Sequence, residues 1–519
     1  MLKAIGLGLG ALFLGIVVRF WHPVYGFTSL LQLDPPYAAQ EIAAFREYPV
    51  FVYDVTGPYD GLQYAQIAYH PLLDAPELRS AVDLLGYRAR RILLPATAWL
   101  LAAGRPAWIA NVYATLNIVC WLGLAVLLWR LLPVAGARSL LAWAGILFSA
   151  GALASVRQAL TDLPAATFIV AAVWAAERAR PRAAVAWLAA VGLTREAALV
   201  AWPGIWNGPW KSPGAVVRNL LRGAAAVAPL VVWLAYVRWR VGPGPQGLDS
   251  LTTPGTGWFA AIRGYVIQAA EGRDLPFSWA SLLGVVSLTA QALFIIVRRQ
   301  PGDRWWRVGA ANVALMLVLG PVVWDGFPVG ALRVLLPLGL ACNILIARTR
   351  APLLWLLACN LSIVSAFIAV EQAPHNQTEI AAARHGAVAG VVRLGAGWYV
   401  QEADAHHRWA WTAQGGPVSV VTWPQSQTVA VQLRFSLRAL TPRTVAIRAE
   451  GREIWRGLVG VGLTPVSLAP MTTSQGRAEL EFVSTDPPIR EGIGPQARLL
   501  GFALYDPVLS VSVSGDASP

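Results

Sequence analysis

Four short polar clusters in an otherwise apolar chain carry side chains that could do chemistry. The first is the run Tyr59-Asp60-Gly61-Leu-Gln-Tyr64, which follows the first apolar stretch. A carboxylate placed there can accept a proton from an attacking hydroxyl group, so Asp60 is the candidate general base. Asp54 is a rival carboxylate that spacing does not exclude, and an Asp-Gly pair is also common in ordinary turns.

The other three clusters combine arginines with carboxylates. They are Tyr87-Arg88-Ala-Arg90-Arg91 before a short apolar run, Thr161-Asp162-Leu-Pro at the start of another, and Arg195-Glu196 between two more. The planar guanidinium group binds phosphate oxygens through paired hydrogen bonds, and a carboxylate orients or deprotonates a hydroxyl group. This combination indicates a substrate that carries both phosphate and hydroxyl groups.

Each of these clusters also has a purely structural interpretation. Asp162 stands where the N-cap of a helix is expected. Arg195 and Glu196 could form ion pairs with each other or with the Asp162 carboxylate. The arginines at 88–91 could anchor the chain at a membrane surface. The sequence alone does not separate these interpretations from a substrate site.

The composition shows that most of the chain does not face water. Of its 519 residues, 56% are hydrophobic and only 13% are charged, and 24 are tryptophan, whereas about a quarter of a soluble domain is charged. The net charge of +13 could indicate a nucleic-acid partner. The arginines instead cluster between apolar runs, as the positive-inside rule requires of a membrane protein. We therefore predict a polytopic α-helical membrane protein that binds no nucleic acid.

About eleven apolar stretches are candidates for membrane spans. They are 3–21, 107–130, 139–156, 163–177, 183–194, 197–210, 223–241, 277–297, 307–324, 328–347 and 352–370. With a cytoplasmic N-terminus, this threading places every arginine-rich connection between spans in the cytoplasm. Residues 92–103 make only about half a span, so we expect a re-entrant or interfacial helix on the outer face, although a crossing stays open.

The threading brings the four clusters to the outer face, which also carries the loops 22–106 and 242–276. From residue 371 onward, short alternating segments replace the apolar runs, which predicts a β-sandwich. We thus expect a membrane domain at 1–370 and an outer domain at 371–519. The predicted strands are 418–423, 428–437, 443–450, 479–483 and 499–505.

The sequence does not predict a metal site. Cys120, Cys342 and Cys359 lie far apart inside apolar runs, as small buried side chains do. The pair His406-His407 is only a weak indication, because adjacent side chains on a strand point in different directions. No Asp-x-Asp pair stands in the first outer loop, and the use of a divalent cation stays open.

Taken in order, the motifs resemble those of bacterial polytopic glycosyltransferases of the GT-C type, close to the mannosyltransferase-like group related to the enzymes of GPI-anchor assembly. The resemblance covers roughly residues 1–210. It is carried by Tyr-Asp-Gly-x-x-Tyr-x-x-Ile-Ala, Tyr-Arg-x-Arg-Arg-Ile-Leu-x-Pro, Thr-Asp-Leu-Pro and Leu-Thr-Arg-Glu. The C-terminal part looks like the β-rich modules appended to some of these enzymes, and its exposed aromatic side chains could stack on sugar rings.

The resemblance implies roles for particular residues. Asp60 would be the general base and Asp162 a second acidic residue of the site. Arg195, Arg88 and Arg91 would engage the phosphate of a lipid-linked donor. Arg333, after the outer turn Trp324-Asp325-Gly326, is a further phosphate partner without a motif behind it. The expected substrate-binding set is completed by Tyr59, Gly61, Tyr64 and Glu196.

The expected function is inverting transfer of a sugar from a polyprenyl-phosphate donor to a glycan, lipid or protein acceptor. The expected place is the outer face of the bacterial inner membrane, in contact with membrane lipid. A transporter or flippase for lipid-linked glycans is an alternative, as is a non-catalytic assembly factor. A transporter would place charges near the bilayer midplane and show inverted repeats. Here the charges gather at one face and no repeat is visible, which favours the enzyme.

Overall fold

The computed structural model describes residues 2–34, 40–53, 59–132, 136–208, 212–244, 250–326, 329–371, 374, 376–492 and 497–513. The rival carboxylate Asp54 lies outside the described residues. The described helices end at Glu371 and the first strand begins at Glu379. The chain therefore consists of a helical part followed by a β-sheet part.

The helical part contains long helices and many short ones. Two 3-10 helices cover Thr28–Leu31 and Glu196–Ile205. The α-helices are Leu2–Val18, Ala43–Glu47, Asp60–Tyr69, Leu78–Ala81, Leu85–Arg88, Leu93–Leu101, Pro106–Leu131, Ala137–Leu147, Ala150–Arg157, Asp162–Glu177, Pro181–Thr194, Pro213–Val241, Thr256–Ala270, Leu275–Val297, Arg304–Val318, Pro321–Trp324, Gly330–Val334, Leu336–Thr349, Leu353–Cys359 and Ser362–Glu371.

Among the described residues, four helical stretches are long and apolar enough to cross a membrane. They are Pro106–Leu131, Pro213–Val241, Leu275–Val297 and Leu353–Val370. The pair Ala137–Leu147 and Ala150–Arg157, bent by 40°, makes a fifth if it is one span. Three shorter apolar helices are Leu2–Val18, Pro181–Thr194 and Leu336–Thr349. These helices are compatible with a multi-pass membrane protein, but the predicted count of about eleven spans is not confirmed.

Fewer helices than predicted are long enough to cross a membrane, because several apolar stretches are broken. The predicted span 197–210 is largely a 3-10 helix with Pro203 inside it. The predicted span 307–324 is interrupted after Val318, where a new short helix starts at Pro321. Proline has no backbone N–H and clashes with the preceding turn, so a helix ends or bends there. Average hydropathy does not register such breaks.

Aromatic side chains hold the helices together. Phe13 of the first helix stacks on Trp121 with ring centroids 3.6 Å apart, and the Trp121 indole donates a 2.8 Å hydrogen bond to the Leu147 carbonyl. The helix Pro213–Val241 instead leaves large apolar side chains such as Val232 and Trp239 mostly exposed. A long apolar outer surface of this kind is expected where lipid covers the protein.

The segment 22–106, which was predicted to be the first outer loop, contains several short helices. Its run 92–103 forms the helix Leu93–Leu101, which at 1.5 Å per residue is about 14 Å long, roughly half the hydrocarbon thickness of a bilayer. This helix is therefore about half the length of a full crossing, and its re-entrant or interfacial placement stays a prediction. The later outer loop at 242–276 contains the helix Thr256–Ala270, which the sequence analysis did not predict.

The C-terminal part is an antiparallel β-sheet domain. Its strands are β1 Glu379–His385, β2 Val388–Leu394, β3 Glu402–Ala403, β4 Arg408–Thr412, β5 Gly415–Trp423, β6 Val429–Ala439, β7 Arg443–Ala449, β8 Arg452–Val459, β9 Thr464–Ser467, β10 Met471–Thr472, β11 Arg477–Val483, β12 Ile489–Glu491, β13 Arg498–Leu500 and β14 Phe502–Val513. All five predicted strand segments fall on these strands.

Two sheets of this domain share one core. The first has the order β1-β2-β5-β11-β7-β8, and the second has β10-β6-β14-β4-β3 with β9 beside β6. Along β6, alternate side chains point inward, as the two-residue period of a strand requires. Phe435 of the second sheet meets Phe482 of the first, with ring centroids 5.5 Å apart.

The β-sheet domain docks on the first outer loop. Trp423 and Val391 of the first sheet form one buried cluster with Tyr25 and Phe51 of the loop. The Tyr25 hydroxyl donates a 2.8 Å hydrogen bond to Glu379, and it accepts one of 3.1 Å from Arg393. The buried cluster and these hydrogen bonds hold the domain against the loop that carries Asp60.

Candidate functional site

A cavity of about 430 Å³ brings most of the predicted site residues together. We call it the outer-site cavity, and its walls come from the first outer loop, the turn after Thr194 and the segment around residue 330. It is lined by Tyr59, Asp60, Gln63, Asp83, Tyr87, Arg88, Arg91, Arg195, Ser250, Val322, Val323, Asp325, Gly330, Arg333 and Val334.

Asp60 is the first residue of a helix and not part of a turn. The preceding residue, Tyr59, has extended backbone and caps the helix Asp60–Tyr69. Gly61 lies within that helix, where a Cβ atom would come 2.1 Å from the carbonyl oxygen of Gln158. The glycine therefore lets the helix approach the neighbouring backbone closely, which fixes the position of the Asp60 carboxylate at the helix start.

The Asp60 carboxylate forms an ion pair with Arg88. The Arg88 Nη1 atom lies 3.0 Å from Asp60 Oδ1, and 36% of the Asp60 side chain is exposed. Burial raises the pKa of Asp60, but the charge of Arg88, with smaller contributions from Arg333 and Arg91, lowers it below its usual value. Asp60 is thus ionised at neutral pH. Arg88 also donates two hydrogen bonds to Asp83, of 2.9 and 3.0 Å.

Arg91 is held in place by hydrogen bonds to the side chains of Glu196, Tyr87 and Tyr64. It pairs with Glu196 through two hydrogen bonds of 3.1 and 3.3 Å. It also donates to the hydroxyl groups of Tyr87, at 2.8 Å, and of Tyr64. Glu196 and Tyr64 are not among the described residues that line the cavity, so their role is to position the Arg91 guanidinium.

Asp162 lies behind the cavity wall, between two arginines that line it. Its Oδ1 atom is 3.0 Å from Nη1 of Arg195, its Oδ2 atom is 4.0 Å from Nη1 of Arg333, and its side chain is only 2% exposed. Thr161 is the N-cap residue of the helix that starts at Asp162. The N-cap interpretation of Asp162 is therefore wrong, and the predicted ion pair between Arg195 and Asp162 is present.

Arg333 reaches the cavity from a distant part of the chain. Its Nη2 atom donates a 2.7 Å hydrogen bond to the Tyr59 hydroxyl, and its guanidinium carbon lies 5.0 Å from the centre of the Tyr59 ring. The buried Nε atoms of Arg195 and Arg333 have no hydrogen-bond partner in the part of the chain that the structure describes. Buried donors normally find a partner, but these two N–H groups are enclosed, so the guanidinium nitrogens at the cavity are the Nη atoms and not Nε.

The sequence analysis missed two acidic residues of the cavity. Asp83 lies opposite Arg88, and Asp325 lines the wall near Arg333. Four arginines and three aspartates thus line the cavity, with the arginines in excess by one. In the sequence, Asp325 is recognisable only as part of the turn Trp324-Asp325-Gly326 before Arg333. Nothing around Asp83 in the sequence distinguishes it from an ordinary surface aspartate.

Several aromatic side chains outside this cavity pack within the β-sheet domain. Trp398 packs edge-on against Phe482 and Phe502, and Trp409 stacks on Tyr505. Among the described residues, no group of three His, Cys, Asp or Glu side chains lies close enough together to hold a metal ion. The three cysteines are free, with Cys342 and Cys359 buried and Cys120 half-buried.

The geometry can bind an anion with attached hydroxyl groups. Four guanidinium groups would face the anion, and the ionised Asp60 carboxylate stands among them. Comparison with known proteins adds no relative: no protein-family model matches this chain, and no curated protein matches it either.

Proposed function

We propose that this chain is a membrane glycosyltransferase that transfers a sugar from a polyprenyl-phosphate-linked donor, with Asp60 as the general base. One observation carries the proposal: three segments that are separate in sequence, at residues 88–91, 195 and 333, place Arg88, Arg91, Arg195 and Arg333 around Asp60 in one cavity. Guanidinium groups suit a phosphate that must be bound and then released as a leaving group. The short motifs that resemble GT-C enzymes support the same reading.

In the proposed reaction, an acceptor hydroxyl group attacks the anomeric carbon of the donor sugar. A bond forms between the acceptor oxygen and that carbon, and the bond from the carbon to the lipid-phosphate oxygen breaks. Asp60 accepts the hydroxyl proton, and the arginines stabilise the charge on the released lipid phosphate. A single displacement of this kind inverts the anomeric centre and needs one carboxylate, unlike the carboxylate pairs of glycoside hydrolases.

The number of spans, the orientation in the membrane and the class of acceptor are parts of the same proposal. The eleven-span GT-C-like membrane domain, including spans shorter than a full crossing, would carry the outer-site cavity on the outer face of a bacterial inner membrane. The N-terminus would be cytoplasmic, and the β-sheet domain extracytoplasmic. The acceptor would be a glycan, a lipid or a protein.

One observation favours a second candidate function, the binding or transport of lipid-linked glycans without catalysis. Asp60 is paired with Arg88 at 3.0 Å, and a carboxylate whose pKa is lowered by such a partner is a weaker base. In the enzyme, the donor phosphate would have to draw Arg88 away from Asp60. In a binding protein, no such exchange is needed.

The test is sugar transfer by the purified full-length protein from polyprenyl-phosphate-linked donors, with wild type beside Asp60→Asn. The substitution keeps the shape of the side chain and removes the base, so we expect turnover to fall at least about a hundredfold while donor binding is retained. Asp74→Asn is a control, because Asp74 is an exposed aspartate near His70 in the same outer loop. Equal turnover by Asp60→Asn would move the base elsewhere. Donor binding without turnover by any protein would support the second candidate.

A further inference from the structure

A second cavity lies between the first outer loop and the β-sheet domain. We call it the interdomain cleft, and its volume is about 410 Å³. One wall is the loop segment 41–52, and the other consists of residues from strands β2, β5 and β11 and from the turns beside them. Clefts between domains are common places for ligand sites. None of the residues discussed for the outer-site cavity lines this cleft.

Three arginines line the cleft, and two of them also pair with carboxylates beside it: Arg393 Nε lies 3.8 Å from Glu379 and Arg477 Nε lies 2.5 Å from Glu479. Arg46 belongs to the loop, whereas Arg393 and Arg477 belong to the β-sheet domain. The only carboxylate among the described lining residues is Glu41. Burial raises the pKa of Glu41 to about 8, although Arg46 lowers it. At neutral pH Glu41 is therefore mostly protonated, so it does not repel an anion and can donate a hydrogen bond.

Two buried polar atoms of the cleft lack partners. Glu41 Oε1 and Arg393 Nε have no hydrogen-bond partner among the residues that the structure describes. Leaving such atoms unpaired is costly, and native proteins normally satisfy them with protein groups, water or a ligand. One belongs to each wall of the cleft, and both are enclosed, so a molecule seated between the loop and the domain would reach them only after a shift of these side chains.

The remaining walls offer the chemistry of sugar recognition. Tyr48 supplies aromatic surface, whereas Trp423 is only 6% exposed and packs in the buried cluster with Tyr25 and Phe51. Gln425 and Gln475 supply amide groups. Aromatic rings cover the apolar faces of a sugar, while amides both donate to and accept from its hydroxyl groups. A purely apolar ligand would leave the arginines and amides unsatisfied, which argues against a lipid tail.

We propose that the interdomain cleft binds an anionic saccharide, whose carboxylate or phosphate group meets the arginines and whose ring contacts the aromatic wall. This binding does not depend on sugar transfer at the outer-site cavity. The cleft is nevertheless linked to the helix that carries Asp60, because the Ile42 backbone N–H donates a 3.1 Å hydrogen bond to Gln66 on that helix. Under the proposed function, a saccharide chain held in the cleft would be an acceptor presented to Asp60.

The test is calorimetric titration of the purified full-length protein with three probes of equal length. These are tetragalacturonate, maltotetraose carrying a terminal phosphate, and neutral maltotetraose. We expect at least one anionic probe to bind at least about tenfold more tightly than the neutral one, and the two anionic arms distinguish a carboxylate from a phosphate. Inorganic phosphate serves as a fourth probe for a site that takes any anion.

Matched variants locate the binding. The double variant Arg46→Gln with Arg477→Gln removes two exposed charges of the cleft, and we expect at least about a tenfold loss of affinity for the anionic probe. Arg456→Gln is the control, because Arg456 on β8 is exposed and pairs with Glu453 much as Arg477 pairs with Glu479. Unchanged thermal midpoints would show that the variants are folded.

Three outcomes would overturn the proposal. They are equal affinity for neutral and anionic saccharides, binding of inorganic phosphate as tight as that of either anionic saccharide, and unchanged affinity in the double variant. Absence of binding by all four probes would overturn it as well. None of these results depends on turnover, so the proposal can fail while the proposed transferase stands, and the reverse also holds.

Discussion

At the scale of single residues, Asp162 determines how the arginines of the outer-site cavity are placed. Its buried carboxylate lies between Arg195 and Arg333, which are far apart in the sequence. Removing one partner from a buried ionic cluster leaves the other charges uncompensated, which is more costly than losing a surface pair. Asp162 is thus a positioning residue that acts through these two arginines.

We predict that Asp162→Asn raises the KM for the lipid-linked donor by about tenfold or more and lowers kcat less. The physical reason is that the arginines bind the phosphate in the ground state and the neutral amide no longer orients them. Steady-state kinetics at varied donor concentration would measure the two constants separately. A fall in kcat with an unchanged KM would contradict this assignment.

The pH dependence of the reaction should report the Arg88–Asp60 pair. Because Arg88 lowers the pKa of Asp60, the wild-type base is already ionised at mildly acidic pH, and kcat/KM should be flat between about pH 5 and pH 8. In Arg88→Gln that pKa rises, so activity should decline at the acidic end of the range.

A pH series of kcat/KM for both proteins checks this shift. Arg79→Gln provides the control, since Arg79 is in the same outer loop but donates to the backbone carbonyls of Val241 and Arg240. Profiles of the same shape in wild type and Arg88→Gln would rule out Asp60 as the titrating base.

Single residues were predictable where a motif marked them. Asp60 and Arg91 stood out because acidic and basic residues are rare in a chain this apolar, and the structure brings both to one cavity. The ion pair of Arg91 with Glu196 joins residues more than 100 positions apart, and no local pattern encodes such a contact. Asp325 was missed as a cavity residue for the same reason.

At the scale of elements, the helix Asp60–Tyr69 depends on one close contact. Gly61 sits so near the Gln158 carbonyl that any side chain would force the two segments apart. The Tyr-Asp-Gly run suggested a turn because glycine commonly follows aspartate in turns. The reason for this glycine is the approach of two backbones, which depends on tertiary packing and not on local sequence.

We therefore expect Gly61→Ala to lower the thermal midpoint and the donor-binding affinity together. The added methyl group would meet backbone, which cannot swing aside as a flexible side chain can. Gly264→Ala is the matched control, because Gly264 is also inside a helix but has nothing within 4 Å of an added Cβ. There alanine should be neutral or stabilising, by up to about 1 kcal/mol. Equal midpoints for the two variants, measured in the same detergent, would refute the close-contact argument.

The sequence also predicted strands better than spans. Segments such as 428–437 were recognised because alternation is local, and β6 covers 429–439. The span predicted at 139–156 is instead two helices bent by 40°, and Ser149 caps the second of them by accepting from the Ala152 N–H. A hydropathy average over 18 residues does not distinguish a bent pair from a straight helix.

At the scale of the whole molecule, the arginine-rich connections meet one another. Arg348 donates to Glu177 through hydrogen bonds of 2.8 and 3.0 Å, and Arg304 donates to the carbonyl of Trp206 at 2.8 Å. The first contact joins two connections that the positive-inside rule assigned to the same side of the membrane, and Trp206 lies near the end of the predicted span 197–210, close to the next such connection. The contacts support the proposed threading, in which the outer-site cavity lies on the opposite side.

This threading predicts which positions a membrane-impermeant maleimide can reach. A cysteine introduced by Ser80→Cys, in the first outer loop, should react in intact cells. One introduced by Arg182→Cys, in an arginine-rich connection, should react only after permeabilisation. The native cysteines lie within apolar helices, so the background labelling should be low. Labelling of both positions in intact cells, or of Arg182→Cys alone, would refute the orientation.

The helix Asp162–Glu177 is held by an ion pair at each end, and this restricts how it can move. Its first residue pairs with Arg195 and lies 4.0 Å from Arg333, and its last residue pairs with Arg348, near the end of the helix Leu336–Thr349 that follows Arg333. The helix thus works as a strut pinned at both ends, about 24 Å long at 1.5 Å per residue. Neither helix can slide along the other without breaking an ion pair, so the two pairs resist movement of the wall that carries Arg195 and Arg333. Any opening or closing of the cavity that shifts this wall must therefore break an ion pair at one end of the helix.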